Sequence, residues 1–60
     1  MNIPSESNML LSFINLKLRD QYSSLEEMID DLDLDKMEIM SKIKDAGIVY
    51  DAVTNQLKFR

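Results

Sequence analysis

Two helix-start signatures eleven residues apart constrain this chain more than anything else in it. The first is Ser24 with Glu27, the second Asp35 with Glu38. In each, the cap oxygen takes a free N–H of the first turn, and the glutamate three residues on reaches back to the cap's own N–H. Behind Ser24, Leu25, Met28, Ile29 and Leu32 recur at the spacing of one helical face. Behind Asp35, Ile39, Met40, Ile43 and Ala46 do the same, and Leu34 is placed to pack on Ile39 as a hydrophobic staple. Gly47 enters the left-handed region cheaply and ends the second helix. The pattern predicts helices over 24–32 and 35–46. The short Asp33-Leu34 connection makes them cross steeply, as in a helix-turn-helix.

The flanks complete a fold. Residues 1–7 read as an extended lead-in, because Pro4 disfavours helix at the residue before it. Ser5 or Ser7 is then the cap of a first helix over 8–20, with Leu10, Leu11, Ile14 and Leu18 on one face and Phe13 beside it. Asn15, Lys17 and Arg19 are expected to point elsewhere. Tyr22 is expected to cover the junction with its ring and leave its hydroxyl in water. After Gly47 the apolar period changes from helical to alternating. Strands are expected at 48–51 and 56–59, joined through Thr54-Asn55, with the register left open. A hairpin is marginal alone in water, so Ile48, Tyr50, Leu57 and Phe59 should lie on the helices. The fold class is α+β and mostly helical: a three-helix, helix-turn-helix-like core with a C-terminal β-hairpin, the order of a minimal winged helix.

Sixty residues form a single domain that buries only about 60% of its unfolded surface. There is no cysteine for a disulfide and no histidine for the usual zinc sites. Self-association through the hairpin edge is one remedy for so small a core. A hydrophobic fraction of 45% exceeds what disordered chains carry. No apolar run approaches the roughly 20 residues of a membrane span, and MNIPSESN lacks the features of a signal peptide, so a cytoplasmic chain is expected.

The run MLLSFINLKLRD, then YSSLEEMIDDLDLDK, then the pairs Tyr50-Asp51 and Asn55-Gln56 resemble a family of very small bacterial proteins, domain of unknown function 4250. The resemblance spans nearly the whole chain. This sequence departs from the family pattern at Met28, where the pattern has a cysteine, at Ile48, where it has an aromatic, and at Leu57, where it has phenylalanine. The resemblance implies a bacterial cytoplasmic protein and carries over no functional residues.

Charge then sorts the function classes. The net charge is -4, yet residues 23–35 alone hold six carboxylates, Glu26, Glu27, Asp30, Asp31, Asp33 and Asp35, with no cation. A DNA-binding winged-helix regulator would present Lys36, Ser41 and Lys42 from its groove helix and Lys58 and Arg60 from its wing. So many carboxylates beside the phosphates work against it, since cations supply most of nucleic-acid affinity. Asp31, Asp33 and Asp35 begin like a calcium loop, but the positions that need Gly and Glu hold Lys36 and Lys42. No metal or other cofactor is expected. The serines lack a histidine to activate them, and a chain this short has little wall for a water-excluding cleft, so an enzyme is not expected. Met9, Met28, Met37 and Met40 read as core fillers. What remains is a non-enzymatic protein-interaction or regulatory module. Its candidate contact residues are Glu26, Glu27, Asp30 and Asp31, whose charge would suit a basic partner; its partner is another protein or a second copy, with nucleic acid disfavoured and no membrane. DNA binding is the alternative.

Overall fold

Each helix begins where a carboxylate or hydroxyl meets its free N–H groups. The computed structural model describes residues 3–60, with Met1 and Asn2 of the expected lead-in outside the described residues. Helix α1 spans Ser7–Asp20, α2 spans Leu25–Asp31 and α3 spans Lys36–Asp45. Strands β1 (Ile48–Asp51) and β2 (Gln56–Phe59) follow. The chain is a small α+β fold, three helices and a two-stranded antiparallel hairpin.

The caps of α2 and α3 are the expected ones. Ser24 Oγ accepts from Glu27 N at 3.1 Å, and Asp35 accepts from Met37 N at 3.0 Å and Glu38 N at 3.2 Å. Glu27 does something else with its carboxylate: it accepts the Ser23 hydroxyl at 2.6 Å. The cap of α1 is neither Ser5 nor Ser7 but Glu6, whose two oxygens accept from Asn8 N at 3.1 Å and Met9 N at 2.9 Å. A glutamate stem is long enough to curl back over its own helix start, so Ser7 becomes the first helical residue.

Between α2 and α3 the chain reverses through Asp33, at φ 54°. Its N–H bonds to Asp30 O at 3.2 Å, and Leu34 N–H reaches Ile29 O at 2.9 Å. These are the two bonds of a Schellman ending, built on an aspartate where glycine is usual. Gly47 (φ 73°) ends α3 in the same region. No atom beyond its own chain neighbours lies within 4 Å of where its Cβ would be, so backbone freedom rather than space explains the glycine.

The core is one cluster: Leu10, Ile14 and Leu18 from α1, Leu25, Met28 and Ile29 from α2, Ile39 and Ile43 from α3, and Ile48 and Leu57 from the hairpin. Leu32, Leu34, Ala46, Tyr22 and Tyr50 pack against it half-buried. The register pairs Ile48 with Phe59, Val49 with Lys58, Tyr50 with Leu57 and Asp51 with Gln56. Ile48, Tyr50 and Leu57 meet the helices as expected, but Phe59 remains 47% exposed at the end of its strand. The methionine expectation fails for three of the four residues. Met28 is buried, whereas Met9 is 60%, Met37 83% and Met40 39% exposed. Met9 and Met37 sit on the outer sides of their helices, and Met40 lies at the rim of the face that Ile39 and Ile43 bury.

Candidate functional site

The acidic segment and the helix after it form one flank. Lys36 Nζ meets Glu26 Oε1 at 2.6 Å, which pins the start of α3 to the outer side of α2. That ion pair holds the Glu26 carboxyl below its ordinary range and raises Lys36, to which the charge of Asp30 also contributes. Both side chains are well exposed, so the pair adds little stability. Met40 lies one turn after Lys36 on the same side of α3, and Met37 follows round the outer surface. α3 therefore exposes two methionines, and its first residue is paired with Glu26 and feels the charge of Asp30.

The other half of the acidic helix faces the α1–α2 junction. Tyr22 donates its hydroxyl to Asp31 Oδ2 at 2.6 Å while its ring packs on the core. The Asp31 carboxylate holds the phenolic proton and raises the Tyr22 pKa. Glu27 accepts from Ser23, so two of the four candidate carboxylates are tied to their own helix entry. Among the described residues, no group of three acidic side chains comes together that could hold a metal ion.

The candidate nucleic-acid residues do not converge on one surface of free donors. Lys36 is paired with Glu26, Lys42 donates to Ser5 Oγ at 3.0 Å, and Lys58 meets Asp51 at 3.3 Å. Asp51 also accepts from Val53 N at 2.9 Å, the main reason its carboxyl is held below the ordinary range. Ser41 and Arg60 are exposed.

Asn15 is the residue that sequence reasoning misplaced. Read as pointing away, it faces β2 and meets both main-chain groups of Leu57: its Nδ2 donates to Leu57 O at 3.0 Å and its Oδ1 accepts from Leu57 N at 2.6 Å. Gln56 Nε2 adds a longer bond to Asn15 O at 3.4 Å. Asn55, at φ 55°, donates to Leu18 O and Tyr22 O and accepts the Tyr50 hydroxyl at 2.7 Å. The Asn55-Gln56 and Tyr50-Asp51 pairs that carry the family resemblance thus close the hairpin and fasten it to α1. The middle of the outer edge of β2 is consequently covered by α1.

No helix of the described residues is long and apolar enough to cross a membrane. Neither a curated protein nor a solved structure matches the chain. The model of one family, described as Domain of unknown function (DUF4250), matches residues 4–57, nearly the full length, and the chain belongs to that family.

Proposed function

We propose that this chain is a non-enzymatic protein-interaction or regulatory module that docks a basic partner on the α2–α3 flank. One observation carries the reading: α3 leaves two apolar side chains, Met37 and Met40, 83% and 39% exposed, and its first residue, Lys36, is paired with Glu26 of the acidic helix. Exposed methionines adapt to varied apolar side chains, and a rim of carboxylates steers cationic partners. A cytoplasmic location is part of this proposal, as is the absence of an enzymatic role.

The helix-turn-helix order followed by a hairpin favours a second reading, a DNA-binding regulator. The six carboxylates of residues 23–35, with no cation among them, lie on the helix and turn just before α3 and work against phosphate contact, which supports the first reading over it.

Affinity capture from the native cell, repeated with Met37→Glu and Met40→Glu, tests the proposal. A partner retained by the unaltered chain and by Val53→Glu, but lost with both methionine variants, is the expected result; a partner indifferent to them overturns the site. Titration of random duplex DNA at falling salt tests the other reading, whose signature is a steep salt slope.

A further inference from the structure

The outer face of α1 is a second unpartnered surface, and it is built to meet itself. Met9 and Leu16, two turns apart on one side of the helix, are 60% and 53% exposed, with half-buried Phe13 between them. Ser12, Asn15, Leu16 and Arg19 stand at i, i+3, i+4 and i+7 and, with Leu11 and Gln56, line a depression of about 280 Å³. Four residues at that spacing make the hole that receives a side-chain knob from a facing helix.

Charge selects the occupant. The excess acid of the chain lies in residues 23–35, whereas residues 1–22 sum to zero, with Glu6 at the start of α1 and Lys17, Arg19 and Asp20 at its end. Two copies meeting through α2 would repel each other. Two copies meeting through α1 in opposite directions would set Glu6 of each near Lys17 and Arg19 of the other and oppose their helix dipoles favourably. Arg19 is bonded to its neighbour Asp20 at 2.9 Å, but that pair is exposed and free to share.

We infer that the chain forms a two-fold homodimer through antiparallel α1 helices, with Met9 of each copy seated in the Ser12–Asn15–Leu16–Arg19 hole of the other. The two-fold axis passes by Ser12, whose small side chain lets the helices approach. This surface is distinct from the α2–α3 flank, so either proposal can fail without the other.

Sedimentation of the intact chain from micromolar to millimolar concentration should show a shift from monomer to dimer mass. Leu16→Glu should abolish the dimer over that range while the helical circular dichroism is kept, and Met9→Glu gives a second route to the same readout. The chain has no cysteine, so Ser12→Cys oxidised with glutathione disulfide should link two copies, while Val53→Cys, on the exposed hairpin loop, should not at the same concentration. A monomer at millimolar concentration overturns the inference. So does a dimer that survives both glutamate variants, or equal cross-linking at Ser12→Cys and Val53→Cys.

Discussion

The α2–turn–α3 segment and the α1–β2 seam are held by different kinds of bond. In the first, every cap and turn bond joins residues within five positions of each other: Ser24 to Glu27, Asp35 to Met37 and Glu38, Asp33 to Asp30, Leu34 to Ile29. In the second, the polar contacts reach across more than half the chain, from Asn15 to Leu57 and from Asn55 to Leu18 and Tyr22. A local bond closes a short loop; a distant one closes a longer loop, at a cost that grows by about 0.6 kcal/mol per doubling of length. At the seam a single side chain, Asn15, answers both main-chain groups of a buried residue, Leu57, that lies 42 residues away.

That difference can be broken or sharpened by substitution. The largest effect should come from Ile43→Ala, which removes buried side-chain volume shared by both regions. A loss of about 2–5 kcal/mol, seen as one cooperative thermal transition at lower temperature, is expected; separate melting of helices and hairpin would show that the two regions do not share one core.

Asn15→Ala comes next. It leaves the half-buried N–H and C=O of Leu57 without their partner, at about 1–3 kcal/mol. Hydrogen exchange should report the hairpin amides opening before those of α2 and α3. Equal loss of protection everywhere would erase the proposed contrast.

A smaller effect of opposite sign is expected from Asp33→Gly. It relieves a left-handed non-glycine residue and removes one charge from the acidic segment, for a gain of about 1 kcal/mol in denaturant unfolding. No gain would mean that the aspartate is unstrained at this turn.

The smallest effect concerns acid. The backbone N–H groups of Asn8, then Met9, hold Glu6 below its ordinary range, and those of Val53, with Lys58, do the same for Asp51. A carboxyl whose pKa is lower folded than unfolded contributes stability above its unfolded pKa and loses it as pH falls through the folded value. Glu6 is exposed and Asp51 only half-buried at the surface, so the decline should be shallow, setting in below about pH 4. Glu6→Gln should flatten it in pH-dependent melting; an unchanged slope would separate that cap from the acid response.

The same contrast explains what was legible from sequence. The second and third helices were readable because their caps and apolar faces are written into short windows, and the hairpin limits because the period changes at Gly47. The Asn15 contact was not, since a polar residue beside a buried face looks solvated until its partner, 42 residues away, is in place. The Schellman ending on Asp33 was hidden because aspartate is a poor signal for positive φ. For the proposed binding surfaces, the carboxylates of α2 were readable as a charged face. The exposure of Met9 and Met37 was not, because an apolar residue in so short a chain is assigned to the core by default. The family resemblance gave the overall relationship and no residue roles.

The fastening of Leu57 by Asn15 has a kinetic consequence. The middle of the chain can assemble early, since its contacts are close in sequence. The opening helix, by contrast, must wait for the closing strand before its polar flank is answered. Assembly should accordingly run from the centre outward and finish with a rendezvous of the two ends. Variants at that meeting point should slow the final step of refolding more than any change confined to the central turn.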